Sequence, residues 1–431
     1  MKKSVDQVRV FMGAGGEVQE DPKGRFFFDD QRASFTDLSG VRLIRCGVDT
    51  VRQHYRGMLR PETLALAESK PGLVDFAGYR FHFSRVGRDS GYQYKLQNAD
   101  LGLILLFKNF NVKPDAIGPH LKIEVSPHAI DQQDSQRLQE QLDFLADAAL
   151  THRERSQCAV HIALDLQGWT PPADLVARLH CKATAQRRFD GVSSFEWADK
   201  SAVYGHGQSF LWGSAGACQL AIYNKTEQAK AIDKLDYWES VWKRYSNPFD
   251  GSDPANYQED QPVWRIELRY HHSVVQQFAD GSCSIQSGEL INSDCYASLV
   301  PHLDGLWRYG LGTFRLLSRP GVNDPLWTLI RDDVRVETGR DSLLDETEYR
   351  RYYKTAKGFS GKNVDLVMGN FVTLLARQGV GAKKGFEALK TLPVWEVIRE
   401  HYAAKEMTER DIYRQIKERL EERVVRWGRA I

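Results

Sequence analysis

Several familiar marks are missing from this sequence, and each absence removes a class of protein. There is no CxxC pair: Cys46, Cys158, Cys181, Cys218, Cys283 and Cys295 are scattered, which argues against zinc, and a chain of 431 residues needs no disulfide framework. There is no long hydrophobic run. The longest, Leu101 to Phe107, is too short to span a bilayer. The opening MKKSVDQVRVF has two lysines with no apolar stretch behind them, so it does not read as a signal peptide. These features point to a reduced, cytoplasmic protein with no membrane partner. There is also no net charge to speak of, 58 basic against 57 acidic residues, so any nucleic-acid binding must come from local basic patches and not from a global field.

What is present is an ordinary globular composition, 42% apolar and 27% charged, with chain enough for two or three domains. Residues 1–40 are polar and glycine-rich and read as a loose N-terminal arm or short docking element, with Phe26 to Asp30 its one sticky feature. Strand-like VRLIRCGVDTV, a helix from Pro61, the hairpin GYRFHFSRV/GYQYKLQ, then LGLILLFKNF and HLKIEVSPHAI define a first α+β lobe over 41–150. It closes on a helix from Ser135 to His152, whose Leu138, Leu142, Leu145, Ala146 and Leu150 share one face.

A second lobe over 151–325 restarts the pattern. RLIRCGVDTV aligns with CAVHIALDLQ, LILLFK with LAIYNK, and HLKIEVSPHA with WRIELRYHHS. These pairings superpose Asp49 on Asp165, Lys108 on Lys225, Glu124 on Glu267 and His128 on His271. An internal pseudo-repeat of two similar lobes with antiparallel sheets and flanking helices follows, with a helical C-terminal domain over 326–431. RDDVRVE could add a last strand before four helical segments.

The chemistry concentrates between Cys218 and His272. In VWRIELRYHH, Trp264, Ile266, Leu268 and Tyr270 alternate with Arg265, Glu267, Arg269 and His271, so one face is apolar and the other ionisable. Gln219, Tyr223 and Lys225 share a face of CQLAIYNK. Asp165 and Glu267, on neighbouring strands with His161 or His271 nearby, suit an oxygen-preferring divalent ion such as Mg2+ or Mn2+. The plainer alternative is that the two acids are salt-bridged to Arg265 and Arg269. Tyr223 is the candidate nucleophile with Lys225 as helper, since a phenol needs a cation or metal beside it to attack. Its competitors are Tyr204, Tyr237 and Tyr270. The matching first-lobe position is Leu106, so only the second lobe carries the phenol.

Basic and aromatic residues interleave at Lys182–Trp197, with Arg187 and Arg188, and at Tyr237–Tyr245, with Lys243 and Arg244; together with Arg265 and Arg269 these are candidate DNA contacts. The second stretch reads equally as an amphipathic helix burying Trp238 and Trp242.

The order GYRFHFSR, LKIEVSPHA, a long helix, HIALDLQGW, FLWGSAGACQLAIYNKTE and WRIELR resembles the replication-initiation factor family, over roughly Val41 to Val275. These are trans-acting initiators of rolling-circle plasmids and filamentous phages, with related relaxases of conjugative elements. The resemblance implies an enzyme that nicks and rejoins DNA at an origin through a 5′-phosphotyrosine, assisted by a carboxylate-bound divalent metal. It implies origin duplex and single-stranded DNA as partners and a homodimer; for the helical tail, dimerisation, duplex binding and recruitment of a host helicase stay open. Asp165 and Glu267 fall on the family's acidic strand positions, and Tyr223 with Lys225 on its tyrosine-rich motif. The chain departs from the family just before the Gly-Ser turn, where Phe210 and Trp212 stand in place of a tyrosine. The rival expectations are a non-catalytic, sequence-specific DNA-binding regulator on the same scaffold and a metal-dependent phosphodiesterase that forms no tyrosine adduct.

Overall fold

The computed structural model describes residues 5–181, 186–190, 208–232, 234–244, 257–279, 292–338 and 361–427. The chain divides into two compact units, Met1–Ala231 with Val241–Tyr349, and Ile232–Ser240 with Arg350–Ile431.

Four short strands open the larger unit: β1 (Val8–Met12), β2 (Val18–Glu20), β3 (Phe26–Asp29) and β4 (Ser34–Asp37). They pair in the order β2–β1–β3–β4, so a folded sheet replaces the expected loose arm. It is fastened by Phe27, which is fully buried in the main core, and by Arg9, which pairs with Asp333 at 2.8 Å. The first half continues with β5 (Arg42–Leu59), α1 (Pro61–Glu68), β6 (Gly72–Phe76), β7 (Tyr79–Arg85), β8 (Tyr92–Asn98), β9 (Leu103–Asn109), β10 (Gly118–Val125), α2 (Pro127–Asp131) and α3 (Ser135–Ala149). The second holds β11 (Leu150–Gln167), α4 (Leu175–Arg178), β12 (Leu179–His180), β13 (Gln186–Asp190), β14 (Gln208–Gly213), β15 (Cys218–Asn224), α5 (Lys225–Ala231), α6 (Leu235–Arg244), β16 (Trp264–Tyr270) and α7 (His272–Ala279).

Eleven of these strands form one continuous sheet in the order β13–β14–β15–β16–β11–β5–β10–β9–β8–β7–β6. Every pairing in it is antiparallel. The two 18-residue strands β5 and β11 lie side by side at its centre. Outward from that pair each half runs alike, with β16 and then β15 on one side and β10 and then β9 on the other. The chain is thus α+β, with large antiparallel sheets and a C-terminal helical region.

Alternation decides which face is core. Val51, Ile123, Leu121, Phe107, Phe83, Ile162, Leu164, Ile266 and Leu268 are buried in one cluster with Leu138, Leu142 and Leu145 of α3. Asp134 starts that helix by accepting the backbone N–H groups of Gln136 and Arg137. Each fully buried leucine contributes about 1.5–3 kcal/mol of transfer free energy.

The larger unit extends past residue 325. After α8 (Tyr296–Leu299), α9 (Leu303–Thr313), β17 (Arg315–Arg319) and β18 (Val322–Asn323), helix α10 (Pro325–Asp332) buries Leu326, Trp327, Leu329 and Ile330 in the main core. RDDVRVE therefore forms no strand of its own: it begins as the end of α10 and makes only an isolated bridge, Gly47 with Glu337. The helical region consists of α11 (Gly361–Arg377), α12 (Ala382–Lys390), α13 (Trp395–Ala403) and α14 (Glu409–Trp427), around Val364, Met368, Val372, Phe386, Ile398, Ile412 and Ile416. Thr408 and Asp411 cap α14 reciprocally. The helix expected over 341–354 lies outside the described residues. Among those, no helix is long and apolar enough to cross a membrane.

Candidate functional site

The ionisable face of β16 lies at the middle of the sheet, between β15 and β11. Register sets Glu267 opposite Ala163 on one side and Ala221 on the other, and Arg265 opposite Asp165 and Tyr223. The two alanines leave room above Glu267, and larger neighbours close in over it. Tyr223 Oη donates to Glu267 Oε2 at 2.9 Å. Arg269 donates twice, to Oε1 at 2.9 Å and Oε2 at 3.0 Å. His161 Nδ1 lies 3.2 Å from Oε1. A carboxylate carries no proton, so this contact requires Nδ1–H and leaves Nε2 as the basic nitrogen.

The electrostatics follow from burial. Glu267 is 2% exposed. Burial alone would raise its carboxyl, but Arg269 and His161 outweigh it and hold the group well below the ordinary range. Burial, and then the Glu267 charge, push the Tyr223 phenol well above its ordinary value. A free phenolate is thus disfavoured, and the proton must leave as the oxygen reacts. Lys225, at the start of α5, is 4% exposed and bonded to Gln228 Oε1 at 2.6 Å. Burial, reinforced by Arg265, lowers its ammonium to about 7.

That shift has a stability consequence. Between about pH 7 and the unfolded value of 10.5 the unfolded chain binds more protons than the folded one, so this group makes stability rise with pH across that window. Below pH 7 its penalty is fully present. Lys225→Met is therefore expected to raise the urea midpoint at pH 6 more than at pH 8.5. A midpoint difference from the parent that does not change between those two pH values would show that Lys225 is not titrating there.

A cleft of about 260 Å³ opens over this cluster, lined by Asp49, Arg52, His161, Tyr223, Lys225, Glu267, Arg269 and His271 among others. The expected assembly of Tyr223, Lys225, His161, Glu267 and Arg269 is thus in place. Asp165 is not part of it. That carboxylate is 1% exposed and takes Arg265 Nε at 2.6 Å, Arg265 Nη2 at 2.8 Å and the Trp242 indole N–H at 2.8 Å. Asp165 does not line the cleft and is committed to Arg265 and Trp242, so it is not placed with the other expected metal ligands. Asp49, His161 and Glu267 offer ligand atoms all within 4.8 Å of one another, with both Glu267 oxygens also engaged by Arg269 and Tyr223. Arg265 reaches Asp49 with its remaining nitrogen. The signal for Asp49 lay in the repeat alignment, which superposed it on Asp165. The two carboxylates of this triad are the oxygen donors that Mg2+ or Mn2+ prefers.

The DNA-contact candidates separate. Arg265, 1% exposed and committed to two carboxylates, cannot meet a phosphate backbone. Arg269 lines the cleft. Lys243 and Arg244 are exposed at the end of α6, Lys243 pairing with Glu259 at 2.5 Å. Arg187 and Arg188 lie in the edge strand β13, and most of the surrounding 182–197 stretch is outside the described residues. Trp238 and Trp242 are buried, as the amphipathic-helix alternative requires and base stacking does not. Of the rival tyrosines, Tyr270 is fully buried and donates to the Leu306 carbonyl at 2.6 Å, Tyr237 sits on α6, and Tyr204 lies outside the described residues. Phe210 and Trp212, at the family's tyrosine position, are stacked and buried in β14.

Compared with known proteins, the chain is 54% identical over 432 residues to a protein named "Uncharacterized protein ORF430" from Pseudomonas phage Pf1, the match covering 100% of both. No family model matches it, and no solved structure does.

Proposed function

The chain belongs to one family with the ORF430 protein of phage Pf1, and for this member we propose a DNA nicking and rejoining activity that starts rolling-circle replication or mobilisation from an origin. The observation that carries the reading is the cleft phenol, Tyr223, bonded to a buried carboxylate and flanked by Arg269 and Lys225. In the reading, Tyr223 Oη attacks a phosphodiester phosphorus. The Oη–P bond forms, the P–O3′ bond breaks, and the phenol proton passes to Glu267. Lys225, whose lowered pKa makes its proton transferable near neutrality, protonates the departing O3′. Arg269 faces the charge that builds on the phosphoryl oxygens. Rejoining is the reverse sequence.

Asp49, His161 and Glu267 are the residues that would hold Mg2+ or Mn2+, whose Lewis acidity would polarise a non-bridging phosphate oxygen. The outward strand order, alike on both sides of β5 and β11, supports reading the sheet as two diverged copies of one unit. In that reading only the second copy kept its phenol. The likeness to replication-initiation factors and the phage origin of the ORF430 relative lend further support.

The test is incubation of the protein with Mg2+ or Mn2+ and supercoiled DNA carrying the phage or plasmid region that encodes it, followed by mass spectrometry of any DNA-linked peptide. A 5′-phosphate on Tyr223 is expected. An adduct on another tyrosine overturns the site assignment. Tight binding with no adduct and no relaxation favours the DNA-binding regulator, for which the weak basicity of Glu267 already speaks.

A further inference from the structure

Beyond the cleft, the sheet face that bears the site continues across the first half as a mainly polar, partly exposed surface, with Leu106 buried within it. Direct cross-strand pairing traces it. Arg52 stands opposite Glu124, and His54 opposite Lys122. Lys122 and Lys95 are both paired with Leu106, and His82 lies opposite Gln97, which shares Ile104 with Glu124. Opposed residues of an antiparallel pair share a face, so Arg52, His54, Lys122, Lys95, His82 and Arg80 point the same way from β5 to β7. The burial pattern agrees. Their neighbours in sequence, Val51, Gln53, Ile123, Leu96 and Phe81, are buried on the core side, whereas these six are half-buried or exposed.

On this face cations outnumber carboxylates four to two. Arg52, Lys122, Lys95 and Arg80 are answered by Glu124, which pairs with Lys122 at 3.0 Å and Arg52 at 3.4 Å, and by the exposed pair Arg80–Asp75. Arg52 Nε is shielded from water yet makes no hydrogen bond, although Glu124 lies beside it. His54 and His272, with rings 4.9 Å apart, add polar edges. Arg52 also lines the cleft, so the basic surface begins where the site ends. From β5 to β7 it spans four strand spacings, roughly 19 Å.

The geometry points to a track for single-stranded DNA: the strand whose phosphodiester enters the cleft continues over β5, β10, β9, β8 and β7 with its phosphates on Arg52, Lys122, Lys95 and Arg80. The inference rests on the nicking reading for the identity of the polymer. A cleft of about 260 Å³ is too small to take in a duplex, so the strand whose phosphodiester reaches Tyr223 is read as single there. The track has cations and few aromatic rings among its described residues, so it holds backbone and not bases, and its affinity is electrostatic and sequence-tolerant.

The experiment measures binding of a fluorescein-labelled (dT)20 by anisotropy from 50 to 300 mM NaCl, with the full chain. For single strands the log–log slope falls by about 0.7 for each phosphate that the protein no longer neutralises. The triple variant Arg80→Gln/Lys95→Gln/Lys122→Gln is expected to flatten the slope by about 2 and to weaken binding about tenfold at 100 mM salt. The milder Arg80→Gln/Lys95→Gln, which leaves the Lys122–Glu124 pair intact, should flatten it by about 1.4, and equal urea midpoints certify the fold. A control triple on the exposed helices of the other unit, Arg399→Gln/Arg410→Gln/Arg414→Gln, should not change it. Slopes unchanged in both track variants, or flattened equally by the control, overturn the track. A flattened slope in a protein that forms no tyrosine adduct leaves the track standing and removes the nicking reading. An adduct on Tyr223 with unchanged slopes does the reverse.

Discussion

Tyr223→Phe is expected to abolish the covalent DNA adduct outright, and Glu267→Gln to slow its formation by about 10²–10⁴-fold, the usual contribution of a positioned proton acceptor. The two substitutions act on the two ends of one hydrogen bond. Phenylalanine keeps the ring in its slot beside β16 and removes only the oxygen, so DNA binding and thermal midpoint should stay near those of the parent. Glutamine keeps the shape of Glu267 but turns an N–H toward Arg269, which donates twice to the native carboxylate. Some stability will therefore be lost as well, and the rate must be read at a temperature where both proteins are folded. A Glu267→Gln protein that forms adduct at the parental rate would show that the phenol proton goes elsewhere, His161 being the next base in line.

Asp165→Asn should cost about 3–5 kcal/mol of stability, because it strips the charge from a fully buried ion pair and leaves the Arg265 guanidinium with Asp49 alone. Arg265 and Asp165 are each 1% exposed and joined by two hydrogen bonds. Asp49→Asn, by contrast, removes a partner whose side chain is 18% exposed and leaves the buried pair intact. Urea unfolding should therefore order the two, with Asp165→Asn well below Asp49→Asn. Nicking should suffer more at Asp49, which faces the cleft, at matched folded fraction. Equal stability losses would mean that the Arg265 guanidinium is shared evenly between the two carboxylates.

Much of this site was legible in the sequence because strand alternation is strict. The period of two in WRIELRY put Glu267 and Arg269 on one face, and the same rule brought Tyr223 and His161 to the strands that flank them. Alternation cannot say whether a charged face meets water or another layer. Both faces of β16 are covered, so Arg265, read as a DNA contact, became the buried partner of Asp165. The salt-bridge alternative described Asp165 correctly and Glu267 only in part, since Glu267 pairs with Arg269 and also receives a phenol. Asp49 was hidden because it comes from the other half of the chain, and only the pairing of β5 with β11 brings it over the cleft. The N-terminal strands were missed for a different reason. They are three to five residues long and separated by short turns, too short for periodicity to stand out.

The position of β16 also bears on how the chain can fold. Residues 264–270 insert between β15 and β11, strands completed 40 and 97 residues earlier. Until the ribosome has released them, β11 and β15 each present an unpaired edge, and the half-built sheet has no closed core around Ile162 and Ile222. Such edges invite pairing with other chains. Glu267 and Arg269 lie on β16 itself, and Tyr223 meets its hydrogen-bond partner only when that strand docks. The chemistry therefore arrives with the step that closes the sheet.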